Sequence, residues 1–335
     1  MKLVSYLKDD HPQLAFLVNG ILYDSDSLHP DLPVTMTMFL NYWEDYFPMA
    51  HSINWGILDG SRRLAGIPFE DTEILAPITS PTSLRDAYAF RQHAEIARRN
   101  KNVAMIEEFD QFPVFYFSNH NSIQGPGEII CMPDHLHKLD FELEVAIVIC
   151  KPGKNIRAEE ADEYIGGFMI MNDISARTLQ LEEMKLSLGP AKGKDFATVI
   201  GPMLITPDEL KDYLVLPREN HSGNSYQLGM RCWVNGIQVS DGNLGDMNWT
   251  FAEIIERCSY GVQLYPGDVI GSGTVGTGCF LEKNVTGKLQ NPDYQEQWLQ
   301  EGDEIEMEIE GLGRLKNTIV KDESDFSILN LKKNT

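Results

Sequence analysis

The stretch that most constrains this chain is residues 139–150, LDFELEVAIVIC, an apolar and β-branched run that reads as a buried strand with two carboxylates at its entrance. Side chains alternate along a strand, so Glu142 and Glu144 point the same way, onto the face continued by Ala146 and Val148. Leu143, Val145, Ile147 and Ile149 make the other face equally apolar, which directs both glutamates at an interior. Adjacent buried carboxylates repel each other unless a cation sits between them. A hard divalent ion bound by oxygen ligands is the simplest one to expect. Residues 304–310, EIEMEIE, give the contrast: glutamate alternates cleanly with apolar residues there, the pattern of a half-exposed strand.

With 28 Lys+Arg against 50 Asp+Glu, the formal charge of −22 argues against nucleic acid or an anionic membrane as partner. An anionic substrate then needs a local cationic pocket. The five cysteines are odd in number and lack CxxC spacing, which predicts a reduced, cytoplasmic protein. Charges at Lys2, Lys8, Asp9 and Asp10 leave no signal-peptide core, and no apolar run reaches membrane-spanning length.

At 335 residues, one small and one larger domain are expected. Residues 1–78 read as a small α+β domain, with strands at 2–7, 15–18 and 21–23 and a hairpin turn at Asn19-Gly20. Met36, Phe39, Leu40, Trp43 and Phe47 then recur at helical spacing up to Pro48, which is expected to end the helix. The proline-containing residues 75–82 form the linker into a larger domain, residues 79–332.

Residues 83–99 are expected to be helical at least in their second half. A helix throughout would set Asp86 and His93 two turns apart on one face, roughly 10 Å apart. Residues 113–117 read as a buried strand. His120, His135 and His137 lie in polar loop sequence without a matching ligand set. Residues 168–171 form another buried strand that ends at Asp173, which is expected to open a helix over 174–185 carrying Arg177, Gln180 and Met184. Gly271-Ser-Gly-Thr-Val-Gly276 matches G-x-G-x-x-G, but no helix is expected to begin within it, so it reads as a turn bringing backbone close to a ligand and not as a dinucleotide site.

Five segments together carry a resemblance: RDAYAFRQH ending at His93, Glu142-Leu-Glu144, NDISARTLQ from Asn172 to Gln180, LGPAKGKDFAT ending at Thr198, and the run from Gly271 to Glu282. In this order they resemble the fumarylacetoacetate hydrolase family, and the leading unit resembles the small first domain of its longer members. The resemblance implies an α+β, β-rich fold, the family's mixed β-sandwich roll, in a homodimer. It implies that Asp86, Glu142, Glu144 and Asp173 bind Mg²⁺ or a similar ion such as Ca²⁺ or Mn²⁺, with Thr198 supporting them. His93 and Glu282 would activate water, while Arg177, Gln180 and Lys194 would stabilise charge on the substrate. Tyr88 and Thr274 would touch it. The family's substrate-contacting tyrosine is replaced by Met184, and its distal arginine has only Arg98 and Arg99 as nearby candidates.

The reaction so implied is hydrolytic cleavage of a carbon–carbon bond in a small anionic 1,3-dicarbonyl acid, fumarylacetoacetate or a related acylpyruvate, as in aromatic amino acid catabolism. Two rivals stand beside it. One is a lyase working through an enolate at the metal, such as an oxaloacetate decarboxylase or dienoate hydratase; the other is a non-catalytic, metal-stabilised binding protein. The His93 and Glu282 pair separates them, because a structural metal site needs neither residue.

Overall fold

The computed structural model describes residues 1–62, 64–99 and 105–333. The Leu143–Ile149 strand lies inside an 11-stranded mixed sheet, and all seven of its residues are buried. It pairs antiparallel with Ile165–Asp173 on one side and Asp268–Gly271 on the other. Beyond the latter come Ser83–Ala87, in parallel, and Phe115–Ser118 at the edge. Beyond Ile165–Asp173 come Thr198–Ile205, Lys2–Lys8, His11–Val18, Ile21–Asp24 and Ile67–Pro68. A second sheet of five strands holds Glu304–Ile309, which alternates between buried and partly exposed as its sequence pattern requires.

The two faces of the central strand serve two cores, as alternation demands. Leu143, Val145, Ile147 and Ile149 pack with Phe168, Met230, Met307 and Leu315. Ala146 and Val148 pack on the other side with Met169, Met171, Phe16, Phe39 and Leu40. The chain is thus α+β and strand-rich, and among the described residues the sheets form no closed barrel. The main sheet also runs across residue 78: Lys2 and Leu3 of the leading unit pair with Ile205 and Leu204 of the larger one.

Four local expectations are corrected. Residues 83–99 are not one helix: Ser83–Ala87 is a strand and only Arg91–Arg99 is helical, because the first segment is taken up by pairing with Asp268–Gly271. Asp173 does not cap a helix. It ends the Ile165–Asp173 strand, and the helix begins at Arg177. Pro48 does not end its helix but lies within Trp43–Leu58, which buries Ala50 and Ile53; the break falls at Tyr42 instead. A proline removes one backbone hydrogen bond, a loss that packing of the following turns can outweigh. Residues 113–117 are not a buried strand: only Pro113 is buried. Phe115–Ser118 is an edge strand, with Phe117 64% exposed.

The hairpin at Asn19-Gly20 has both residues at positive φ, 51° and 80°, the geometry that glycine and asparagine tolerate best. Among the described residues no helix is long and apolar enough to cross a membrane. All five cysteines are free and buried.

Candidate active site

Asp86, Glu144 and Asp173 come from three strands and share one sheet face. Each lies two residues from a core residue on that face, Leu84, Ala146 and Met171 respectively. Asp268–Gly271 separates the strands of Asp86 and Glu144, and at this level it offers only Gly271, which is in register with Asp86 and with Ala146. A Cβ on Gly271 would lie 2.5 Å from Asp86 Oδ1 and 2.8 Å from Met171 Cε. The missing side chain is what lets the acids converge. One oxygen from each lies within 4.8 Å of the others, and all three residues are buried. The Gly273 N–H donates to Asp86 Oδ1 (3.1 Å) and Glu144 Oε2 (3.0 Å), and Thr274 Oγ1 donates to Glu144 Oε1 (3.3 Å). The glycine-rich turn does bring backbone close to something polar, namely the chain's own carboxylates.

Burial, reinforced by Asp173, pushes Asp86 up to about 7. Burial and then Asp86 hold Glu144 well above the usual carboxylate range. Burial also raises Asp173, against the pull of Lys194. Asp173 Oδ1 is buried with no hydrogen-bond partner among the described residues. Three converging oxygens, an orphaned acceptor and an excess of negative charge fit a hard divalent cation.

This has a measurable consequence. Asp86 holds its proton more tightly folded than unfolded, so its contribution to stability is present below its ordinary value of 3.8 and is lost as pH rises towards about 7. The metal-free protein is therefore expected to melt at a lower temperature at about pH 8 than at about pH 5. Mg²⁺ or Mn²⁺ should raise Tm more at the higher pH, where the ligands need not shed protons. Equal metal-induced shifts at both pH values would contradict the site.

Glu142 lies beside this group and not among its three converging oxygens. Lys194 Nζ donates to its Oε2 and Arg177 Nη2 to its Oε1 (2.7 Å). Burial alone would raise its pKa, but Lys194 and then Arg177 hold it below the usual range. Lys194 also donates to Asp173 Oδ2 (2.6 Å). The cation expected between the sequence's two glutamates is thus, next to Glu142, an ammonium of the chain itself. Burial works against that charge, yet Asp173 and Glu142 keep its pKa above the ordinary lysine value.

His93, on the Arg91–Arg99 helix, faces Glu282 on the Phe280–Gln290 helix. The His93 Nδ1 is hydrogen-bonded to Glu282 Oε1, with both residues buried. Glu282 Oε2 accepts from the Thr277 N–H (2.9 Å). The Tyr88 ring stands edge-on to the imidazole, 5.5 Å between centroids. Cys279 is close by, and burial pushes its thiol well above the ordinary value.

Arg177 donates to Asp140, Glu142 and Gln180 Oε1, holding two acids and an amide in place. Thr198 is buried in register with Asp173. Arg98 lines a cavity next to Tyr88, while Arg99 and Met184 are exposed.

Two residues escaped the sequence reading. Asp140 is fully buried; it accepts from Arg177 Nε (2.9 Å) and from the N–H groups of Phe280 (2.7 Å) and Leu281 (3.0 Å), where the helix bearing Glu282 begins. Its signal was available, because it stands two residues before Glu142 in the run 139–150 expected as one strand. The fold instead breaks that run at Phe141-Glu142, with Asp140 ending the short Leu139–Asp140 strand and Glu142 standing just before Leu143–Ile149. Tyr116 donates through its hydroxyl to Asp173 Oδ2, an arrangement set by pairing of Tyr116 with Asp86 across strands that only the fold reveals. Asp140→Ala would leave the buried Arg177 short of a partner and take the carboxylate from three N–H groups, those of Phe141, Phe280 and Leu281. A loss of about 3–5 kcal/mol in denaturant unfolding is expected, with less from Asp140→Asn.

Comparison with known proteins places this geometry. The profile described as Fumarylacetoacetate (FAA) hydrolase C-terminal matches residues 82–320. "Oxaloacetate tautomerase Fahd2a, mitochondrial" of Rattus norvegicus is 31% identical over 330 residues, covering 96% of this chain and 92% of that protein. "Oxaloacetate tautomerase FAHD2A, mitochondrial" of Homo sapiens is 30% identical over 303 residues, covering 90% and 84%. Among solved structures, a putative HpcE protein from Mycobacterium smegmatis superposes with a TM-score of 0.72 at 23% identity, covering 96% of this chain and 100% of that one. The maleylpyruvate hydrolase from Sphingobium sp. SYK-6, in complex with manganese (II) ion and pyruvate, gives 0.68 at 19%, with coverage of 96% and 100%. A profile match across most of the length, relatives at this identity and the same fold together establish that the chain belongs to the fumarylacetoacetate hydrolase family.

Proposed function

We propose that the protein hydrolyses a carbon–carbon bond of a 1,3-dicarbonyl acid, fumarylacetoacetate or a related acylpyruvate. The observation that carries this reading is the buried His93–Glu282 pair beside three carboxylates and a lysine. A hard divalent ion, Mg²⁺ or alternatively Mn²⁺ or Ca²⁺, held by Asp86, Glu144 and Asp173 would supply Lewis-acid polarisation of the substrate and neutralise enolate charge. The protein's own residues do the rest. With Nδ1 bound to Glu282, His93 keeps Nε2 for a water and takes its proton as the hydroxyl adds to the distal carbonyl. Glu282 is fixed by the Thr277 N–H and stabilises the charge that then forms on the imidazole. Lys194 offers positive charge to the developing oxyanion. The bond between the former carbonyl carbon and the methylene breaks, the methylene regains a proton, and an acylpyruvate plus water gives a carboxylic acid plus pyruvate.

A second reading is favoured by the printed names of the two relatives above: interconversion of the keto and enol forms of oxaloacetate. It would use the same acids and the same proton carrier but consume no water. Metal-loaded protein incubated with an acylpyruvate panel and with oxaloacetate separates the two. The hydrolytic reading expects one pyruvate per acylpyruvate consumed. Loss of oxaloacetate enol absorbance, with every acylpyruvate left intact, would replace it with the second.

A further inference from the structure

We propose that the site selects dicarbonyl acids whose acyl arm is apolar, an alkyl chain or a phenyl ring, and that the arm lies in the cavity behind Tyr88. This rests on the hydrolytic reading above and names its substrate class. The cavity measures about 320 Å³ and is lined by Phe109, Phe112, Val114 and Trp249 together with Tyr88. Tyr88 links the two: its ring stands edge-on to His93, 5.5 Å between centroids, and edge-on to Phe109 at 6.1 Å. Ala94, the residue after His93, also faces the cavity. An arm extending from a carbonyl attacked beside His93 therefore has this space next to it.

The lining is built to be apolar. Trp249 Nε1 donates to the Phe109 carbonyl (2.9 Å), so its one polar atom is spent on the wall and the indole ring is left as hydrocarbon surface. Arg98 and Glu108 both line the cavity, one charge of each sign, so the lining carries no net charge that would draw a second carboxylate on the ligand. Size points the same way. An apolar cavity of roughly 150 Å³ already takes up benzene, so this one holds a phenyl ring with room left over. The short carboxylate arm of oxaloacetate would leave it unfilled.

The test uses full-length, metal-loaded protein and acetyl-, butanoyl-, hexanoyl- and benzoylpyruvate, with an acylpyruvate whose arm ends in a carboxylate as the contrast. Burying each methylene should raise kcat/KM about fourfold, and benzoylpyruvate should exceed acetylpyruvate by more than about tenfold. Trp249→Ala should flatten the slope with chain length. Should that variant fail to fold, Val114→Glu, at a position 43% exposed, should lower the preference for hexanoylpyruvate over acetylpyruvate without disturbing the core. Binding gives an arm independent of turnover: by calorimetry, 2-oxo-4-phenylbutanoate should bind more than about tenfold tighter than pyruvate. Cleavage with no dependence on chain length, or with the carboxylate arm preferred through Arg98, overturns the inference and leaves the hydrolytic reading intact. No cleavage of any acylpyruvate, but tighter binding of the phenyl acid, overturns that reading and supports the cavity's role. Equal binding of the two oxo acids overturns the inference.

Discussion

His93→Ala is expected to lower kcat for acylpyruvate hydrolysis by about 10³-fold, within the range general-base catalysis supplies, while substrate and metal affinity stay largely intact. The expectation rests on what the imidazole touches. Its Nδ1 is bound to Glu282, and the carboxylates suited to a metal are Asp86, Glu144 and Asp173, a separate group. A base that acts only as the proton moves contributes to the transition state alone, so kcat and kcat/KM should fall together. Glu282→Gln should produce a smaller loss of the same kind, since the amide preserves shape but not the charge that stabilises a protonated imidazole. The double variant is the sharper measurement. Residues working as one unit give losses that do not add, and a double loss equal to the product of the single ones would dissolve the pair. If His93→Ala abolished metal binding, measured by calorimetry, the ligand set would have to be redrawn around the histidine.

Lys194→Met is expected to have the next largest effect, a fall of about 10²–10³ in kcat, accompanied by a loss of stability. The ammonium donates to Glu142 and Asp173 at once, and all three groups are buried. Methionine replaces its volume but leaves two acids facing each other with Arg177 still on Glu142 alone. Removing one partner of a buried ion pair costs about 3–5 kcal/mol. The loss should shrink at low pH, where a proton can replace the missing cation, and when metal is added. Adding Glu142→Gln to Lys194→Met should restore much of the stability but not the activity. Recovery of both by the double variant would show that Lys194 serves only the architecture. Unfolding in denaturant and initial rates, measured on the same preparations, decide the matter.

The sequence by itself determined those features that depend on neighbours along the chain. Alternation along residues 139–150 placed Glu144 on the Ala146 and Val148 face, and the two cores divide along that line. Positive-φ demand marked the turn at Asn19-Gly20, and clean alternation marked residues 304–309 as half exposed. The ordered segments that resemble one family named the residues to watch, and the fold brings His93 against Glu282 across 189 residues of chain. Tertiary structure decided what pairing and packing control. Periodicity could not tell the Ser83–Ala87 strand from the helix that follows it, because the choice depends on Asp268–Gly271 lying alongside. Nor could it show that Gly271 clears the space in which Asp86, Glu144 and Asp173 meet. Which acid pairs with a lysine and which joins the converging carboxylates was decided by the same means. Glu142 and Glu144 are identical in type and two residues apart, but Lys194 and Arg177 reach only the first, which stands just outside the Leu143–Ile149 strand, from segments that no local rule brings near. Electrostatic role follows from the nearest charge, and in a folded chain the nearest charge is seldom a neighbour in sequence.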